Sequence, residues 1–191
     1  MELRLAEKKD LKAVYALFLR TRSAMEKEKN FTWSDHYPLK RNFTSDIKDG
    51  RAYVHEENGE IIAYIAVSFD VLEDFFSDSK SLQKANQLRK DLQMKDDEDF
   101  LLLHRLMVDP SSQGHGLAEG VFEAISNLYP HSVLVFAVFP DNRKALRAYD
   151  RYGFQNLGIY APFEYGDYPF YLYYKHPGTP WGSLVKEQGA L

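Results

Sequence analysis

The sequence contains no cysteine among its 191 residues. This absence excludes a disulfide scaffold, a thiolate zinc site and a cysteine nucleophile, and it suits the reducing cytoplasm. A basic tract is also missing, and the formal net charge is -4. Because sequence-independent binding to nucleic acid requires clustered lysine and arginine, we expect no nucleic-acid partner.

Long apolar segments are scarce as well. The longest uncharged apolar run extends from Ser132 to Pro140, which is too short to span a bilayer. The N-terminal segment "MELRLAEKKDLK" is charged from its second residue and has no apolar centre, so it does not match a signal peptide. We therefore expect a soluble, cytoplasmic protein without a membrane partner. The six histidines show no metal-binding spacing, and we expect no metal site.

Hydrophobic periodicity predicts a mixed α/β fold with the element order β-α-α-β-β-(α)-β-α-β-α-β-β. The strongest turn signal is Asn58-Gly59, which predicts a hairpin, and the apolar run Phe100 to Val108 predicts a central strand. Asp141 is predicted to cap a helix that ends at Gly153. Helical spacing predicts two further apolar helix faces, one formed by Leu82, Ala85, Leu88 and Leu92 and the other by Leu117, Val121, Ala124, Ile125 and Leu128. We expect a single domain over residues 1–175, with an inserted helical loop over 71–98, a solvated acidic turn over 96–99 and a C-terminal tail over 176–191.

A glycine-rich turn stands out in "LMVDPSSQGHGLAEGVFEAI", residues Leu106 to Ile125. An apolar strand, this turn and a helical pattern follow one another, which is a common arrangement for holding a phosphate. The P-loop pattern is excluded because no glycine in the chain precedes a lysine. The dinucleotide-binding pattern is excluded because Glu119 occupies the place of its third glycine, and no acidic residue lies near the ribose-binding position.

A third phosphate-binding pattern, Gln/Arg-x-x-Gly-x-Gly/Ala, fits the segment "QGHGLA". Backbone N–H groups at a helix N-terminus favour a pyrophosphate, without a lysine or a metal. Gly116 allows the backbone to approach the phosphates, and the small Ala118 leaves room beside them. The residues of this turn that are predicted to bind a phosphate-bearing ligand are Gln113, Gly114, His115, Gly116, Leu117 and Ala118.

The segment "VDPSSQGHGLA" followed by "PDNRKALRAYDRYGF" resembles the GNAT superfamily of N-acetyltransferases. The segments "WSDHYP" and "LHRLMVDP" are similar to a bacterial branch of it, and the resemblance covers roughly residues 2 to 175. It implies a central mixed, mostly antiparallel sheet that is splayed at the cofactor site and flanked by helices. It also implies acetyl-CoA as co-substrate, direct transfer to an amine, and in some members a homodimer.

The resemblance assigns roles to individual residues. The backbone N–H of Leu106 is expected to stabilise the oxyanion, and Met107 and Val108 continue the same cofactor-binding strand. Asn142 and Tyr149 share a helix face, where Asn142 is expected to bond the CoA arm and Tyr149 to act as general acid. Ala145 lies on that face as well. Helix initiation is the structural alternative for Asn142, and a buried aromatic is the alternative for Tyr149.

The general base is predicted from strand alternation. His104 lies two residues before Leu106 and is therefore expected to face the same side of the strand, with a pKa range that suits a base. A hydrogen-bonded structural histidine, or a water chain to a carboxylate of the insertion, are the alternatives. The side chain of His115 is expected to face solvent.

The acceptor is expected to contact two aromatic segments, residues 30–38 and 160–171. Aromatic rings with carboxylates suit a cationic amine, so a small cationic amine is the leading substrate class, before a protein N-terminus and an aminoglycoside. These rings could instead fill the core under loops. A non-catalytic acetyl-CoA-binding module and transfer of a larger acyl group are the other hypotheses. The residues concerned are Trp33, Asp35, Tyr37, Glu164 and Asp167.

Overall fold

The computed structural model describes residues 1–69, 81–159 and 170–182. Within these ranges the chain forms seven β-strands and five α-helices, in the order that periodicity predicted. The strands are β1 (Arg4–Leu5), β2 (Ala52–Glu57), β3 (Glu60–Ser68), β4 (Asp99–Val108), β5 (Ser132–Val138), β6 (Gln155–Ile159) and β7 (Tyr171–Lys175). The helices are α1 (Leu11–Lys27), α2 (Lys40–Lys48), α3 (Ser81–Asp91), α4 (Leu117–Leu128) and α5 (Arg143–Arg151).

The strands form a mixed, mostly antiparallel sheet with the order β1-β2-β3-β4-β5-β7-β6. Antiparallel pairs join β1 to β2, β2 to β3, β5 to β7 and β6 to β7. β4 and β5 are parallel, and their ladder covers Asp99–Leu102 against Ser132–Val135. β4 is the middle strand of the order, as its nearly continuous apolar run predicted.

The hairpin between β2 and β3 is confirmed. Asn58 has a φ of 52° and Gly59 a φ of 80°, so both turn residues adopt left-handed backbone conformations. Two such residues form the turn whose twist matches the twist of the flanking strands, and asparagine followed by glycine tolerates these angles best. The pair Glu57 and Glu60 closes the ladder on either side of this turn.

The chain consists of two compact units. The first comprises Met1–Val67 and Leu103–Leu128, and the second comprises Ser68–Leu102 and Tyr129–Leu191. β4 contributes residues to both units, because the boundary falls between its residues 102 and 103. The prediction of a single domain over residues 1–175 stays a prediction. No helix in the described ranges is long and apolar enough to cross a membrane.

The first unit buries the apolar faces of α1 and α2 against β2 and β3. Aromatic rings dominate this core: the ring of Phe43 lies 5.3 Å from that of Phe18 and 5.5 Å from that of Tyr64. All three side chains are fully or almost fully buried. Each buried aromatic of this size stabilises the unit by about 2–3 kcal/mol relative to exposure. Further members of the core are Val14, Leu17, Val54, Ala66 and Met107.

The second unit contains the predicted insertion, and its helix is confirmed as α3. Ala85, Leu88 and Leu92 face a buried cluster formed by strand residues, whereas Leu82 is 67% exposed, so its predicted place on the apolar face is wrong. Leu82 lies in the first turn of this helix and is rotated by about 60–120° around the helix axis from Ala85, Leu88 and Leu92. Residues 70–80 of the insertion lie outside the described ranges. The strand residues of the cluster are Phe100, Leu102, Val133, Val135 and Leu172.

Two local predictions need correction. The acidic run is not entirely a solvated turn, because Glu98 is buried and its carboxylate accepts a hydrogen bond of 2.9 Å from the Lys95 backbone N–H. The His176 ring also lies 3.3 Å from this carboxylate, so the acid anchors the insertion to the segment after β7. Leu128, predicted on the buried stripe of α4, is half-exposed because the helix ends at that residue.

Candidate functional site

A short connection links the end of β4 to the glycine turn. The backbone N–H of Asp109 donates to Ile62 O at 2.8 Å, which ends the strand pairing. The Asp109 carboxylate then caps a short 3-10 helix, Pro110–Ser112, by accepting from the Ser111 backbone N–H at 3.0 Å. Arg20 of α1 donates to the same carboxylate at 2.6 Å and 2.8 Å. Burial opposes the charge of Asp109, but these hydrogen bonds hold its pKa below the ordinary value.

The two glycines of the turn are required by backbone conformation. Gly114 has a φ of 88° and Gly116 a φ of 74°, in the region that side chains other than glycine rarely adopt. A Cβ atom at either position meets no other atom within 4 Å, so crowding is not the reason for glycine. The turn is exposed from Gly114 to Gly116, and the predicted exposure of His115 is confirmed.

Helix α4 begins at Leu117, immediately after the turn. Its first backbone N–H groups have no acceptor within the helix, and the positive end of the helix dipole lies at the turn. The side chain of Gln113 donates to Val108 O at 3.4 Å, so it connects the turn to the end of β4. Leu117 and Ala118 are partly buried. An exposed turn with these donors is able to bind a phosphate without a lysine or a metal.

A backbone irregularity interrupts β4 within the predicted catalytic segment. Arg105 has a φ of 52°, which costs a residue other than glycine roughly 1–2 kcal/mol. The regular alternation that placed His104 and Leu106 on one side of the strand does not hold across this residue. Both residues are partly buried, and the role of His104 as base stays a prediction. Because the side chains of Met107 and Val108 are buried, these two residues can offer a ligand only their backbone groups.

An ion pair at Arg105 was missed by the sequence analysis. The guanidinium donates to the Asp46 carboxylate of α2 through Nε at 2.9 Å and through Nη2 at 2.6 Å. Its Nη1 donates to the Tyr37 hydroxyl at 2.9 Å. One sequence signal could have found this pair, because a single arginine within the apolar run "FLLLHRLMV" needs a buried partner.

In the second unit, the residue that caps helix α5 differs from the predicted one. Its side-chain oxygen accepts a hydrogen bond of 3.3 Å from the Ala145 backbone N–H, so Asn142 rather than Asp141 is the N-cap. Asp141 contributes its backbone carbonyl, which accepts from the Arg143 N–H at 2.8 Å. Helix initiation, the alternative role predicted for Asn142, is therefore shown. The side-chain amide of Asn142 also carries donors that the cap does not use.

Tyr149 lies two turns after Asn142 on the same helix and packs among aromatic rings. Its ring centroid is 4.5 Å from that of Phe136 and 5.7 Å from that of Tyr173. Burial, reinforced by the neighbouring tyrosines, raises the pKa of Tyr149 well above its ordinary value. The phenol is therefore protonated at neutral pH.

The aromatic segment 30–38 is divided between core and surface. Trp33 packs against Phe18 at 5.8 Å, which supports the alternative that this ring fills the core. Asp35 is exposed and accepts a hydrogen bond of 2.9 Å from Arg22. Tyr37 is 44% exposed. The other two predicted acceptor residues, Glu164 and Asp167, lie outside the described ranges.

The predicted site residues fall into two groups, one in each unit. The first unit holds the β4 segment and the glycine turn, and the second holds the α5 residues. Within the first group, Gln113 contacts the end of β4, and within the second, Asn142 contacts Ala145. In the described parts of the chain, no cluster of three histidine, aspartate or glutamate side chains could hold a metal ion.

A seven-stranded, mostly antiparallel sheet flanked by helices is the fold of GNAT acetyltransferases. The model of the GNAT acetyltransferase family matches residues 12–154. The chain therefore belongs to the GNAT acetyltransferase family. No curated protein sequence matches this chain significantly.

Solved structures of GNAT proteins have the same fold. A GNAT-family acetyltransferase from Streptococcus agalactiae is 19% identical, with a TM-score of 0.71 over 93% of this chain and 96% of that one. The ribosomal-protein-S18-alanine N-acetyltransferase from Escherichia coli is 19% identical, with a TM-score of 0.59 over 94% and 95%. An agmatine N-acetyltransferase is 14% identical, with a TM-score of 0.58 over 92% and 98%. At these identities the likeness shows the fold alone.

Proposed function

We propose that this chain transfers an acetyl group from acetyl-CoA to a primary amine. The glycine turn carries the proposal: Gly114 and Gly116 adopt positive φ angles directly before α4, and the turn is exposed. Its backbone N–H groups and the helix dipole fit a pyrophosphate, which acetyl-CoA contains. The family membership of the chain supports acetyl transfer as the reaction.

Each predicted catalytic residue has one role in this proposal. The backbone N–H of Leu106 donates to the carbonyl oxygen of the thioester as negative charge develops there. His104 accepts a proton from the ammonium group, so that the nitrogen lone pair can attack the carbonyl carbon. Tyr149 gives its phenol proton to the sulfur as the carbon–sulfur bond breaks, and its phenolate then takes the second proton from the acylated nitrogen, which leaves a neutral amide. Because the pKa of Tyr149 is raised, the transfer to sulfur is uphill and must accompany bond cleavage.

We infer that the acceptor is a small cationic amine. Two side chains of the segment between α1 and α2 support this class: the Tyr37 ring is half-exposed, and the Asp35 carboxylate is 87% exposed. An aromatic face and a carboxylate both attract an ammonium group. A protein N-terminus and an aminoglycoside are the second and third candidates, and both also present an amine.

Calorimetric titration tests the cofactor part of this proposal. We expect micromolar binding of acetyl-CoA, similar binding of CoA and weak binding of ATP. Gly116→Asn is the informative variant, because asparagine tolerates a positive φ but adds a side chain where the phosphates approach. We expect this variant to unfold at the wild-type temperature and to bind acetyl-CoA at least about tenfold more weakly.

Gly59→Asn is the matched control, since it makes the same change in the hairpin turn at a φ of 80°. It is expected to bind acetyl-CoA like the wild type. Wild-type affinity in Gly116→Asn would show that the turn does not contact the cofactor.

A further inference from the structure

Arg105 is a buried cation with a backbone conformation that its residue type disfavours. Its side chain is only 12% exposed, in a strand that is otherwise nearly apolar. Its φ of 52° lies in the left-handed region. Left alone, an arginine in a strand relaxes towards a φ near −120° or −140°. Some contact must therefore hold this residue in place, and the structure shows which one.

The Asp46 carboxylate is the centre of that contact. It accepts two hydrogen bonds from the Arg105 guanidinium in a bidentate arrangement, and Asp46 is only 3% exposed. A third hydrogen bond, of 2.8 Å, comes from the Tyr64 hydroxyl of β3. Bidentate arginine–carboxylate pairs combine charge with fixed geometry. The network therefore joins α2, β3 and β4 inside the first unit and fixes the direction of the Arg105 side chain.

The peptide bond between Arg105 and Leu106 depends on that fixation. Its N–H is the Leu106 donor, and the torsion angles at Arg105 orient it. If Arg105 relaxes into the β region, this peptide plane rotates and the Leu106 N–H points elsewhere. We propose that Asp46 is a positioning residue: through Arg105 it orients the Leu106 backbone N–H for the acyl-transfer step. This inference rests on the proposed function only for the role of the Leu106 N–H.

The pKa values of the two donors, Arg105 and Tyr64, support this role. Burial opposes the charge of Arg105, but Tyr37 and Asp46 outweigh it and raise the pKa of the guanidinium above its ordinary value. Burial, reinforced by Asp46, also raises the pKa of the Tyr64 hydroxyl. Both groups stay protonated donors in neutral and moderately alkaline solution. Both donors are therefore available to the Asp46 carboxylate over that range.

The variant Asp46→Asn tests the proposal, and Asp10→Asn is its control. Asp10 is 7% exposed and also accepts a bidentate pair of bonds, from Arg4 at 2.6 Å and 3.1 Å, but it joins β1 to the start of α1. Both variants remove the negative charge from one buried partner of an arginine. A merely structural effect should therefore appear in both, and an effect on the Leu106 N–H only in Asp46→Asn.

Two readouts separate positioning from folding. In nuclear magnetic resonance spectra of the free protein, we expect the Leu106 amide signal to shift and its hydrogen exchange to accelerate at least about tenfold in Asp46→Asn. In turnover measurements we expect kcat to fall about 10- to 100-fold while the Kd for acetyl-CoA changes less than about twofold. Asp10→Asn is expected to leave the Leu106 amide and kcat within about twofold of the wild type.

A milder variant covers the case in which Asp46→Asn does not fold. Tyr64→Phe removes one hydrogen bond from the Asp46 carboxylate and keeps the ion pair. We expect the Leu106 amide to shift in the same direction by a smaller amount. An unchanged Leu106 amide in a folded Asp46→Asn or Tyr64→Phe protein would overturn the proposal. If the wild type transfers no acetyl group, the proposed function fails, and the amide signal still decides whether Asp46 positions Leu106.

Discussion

The environment of Tyr149 determines what its hydroxyl can do. Three aromatic rings, those of Phe136, Phe154 and Tyr173, surround it at centroid distances of 4.5 to 6.2 Å. Such surroundings disfavour the phenolate, so the pKa of Tyr149 is raised. The same rings fix its orientation, which is what a proton donor at a reaction centre needs.

Tyr149→Phe tests the assignment of the general acid. Phenylalanine keeps the ring packing, so we expect the unfolding temperature and the Kd for acetyl-CoA to stay close to the wild-type values. Loss of the proton donor should lower kcat by about 100-fold or more. Steady-state kinetics combined with calorimetry measures both quantities, and wild-type turnover in the variant would remove Tyr149 from the mechanism.

The pH profile adds an independent check on Tyr149. Because its pKa lies well above 10, ionisation of this phenol should not reduce kcat between pH 7 and pH 10. A loss of wild-type activity with a midpoint near pH 8.5 that disappears in Tyr149→Phe would contradict the raised pKa.

At the level of elements, helix α5 is capped by a residue whose side-chain amide has donors that the cap does not use. The Asn142 side-chain oxygen caps the helix, and its amide remains a donor of the type that the CoA arm accepts. Asn142→Ala should lower the free energy of unfolding by about 1 kcal/mol, because the cap is lost. Asn142→Ser keeps a capping oxygen but removes the amide.

We expect Asn142→Ser to retain wild-type stability and to bind acetyl-CoA about 2- to 10-fold more weakly, which corresponds to one hydrogen bond. Chemical denaturation and calorimetry measure the two effects separately. Equal acetyl-CoA affinity in Asn142→Ser and the wild type would reduce Asn142 to a helix cap.

The elements also show why sequence reasoning succeeded in some places and failed in others. The Asn58-Gly59 hairpin could be predicted because its signal is local: two adjacent residues tolerate the required φ angles. The interruption of β4 could not, because Arg105 is held by Asp46, 59 positions away in the sequence. The prediction of the α5 cap failed for a different reason. Asp141 and Asn142 are both good capping residues, and only the structure shows that Asn142 makes the capping hydrogen bond.

At the scale of the whole molecule, the fold and the family can be predicted from the sequence, whereas the acceptor cannot. The GNAT fold was predicted from the resemblance of two segments, "VDPSSQGHGLA" and "PDNRKALRAYDRYGF", and the structure and the family model show it. The acceptor is predicted to contact segments 30–38 and 160–171, and no local sequence pattern determines how such segments fold. GNAT proteins of the same fold acetylate amines as different as agmatine and the alanine of a ribosomal protein. A fold that is shared at 14% and 19% identity therefore does not determine the substrate, which has to be found by experiment.

The most direct test of acetyl transfer is to follow thiol release from acetyl-CoA in the presence of three sets of amines. The sets are small cationic amines, short peptides with free N-termini, and aminoglycosides, and mass spectrometry of the amine confirms each acetylated product. We predict thiol release that depends on the amine and is fastest with a small cationic amine. Tight binding of acetyl-CoA without thiol release from any set would contradict the enzyme assignment and identify a non-catalytic acetyl-CoA-binding module.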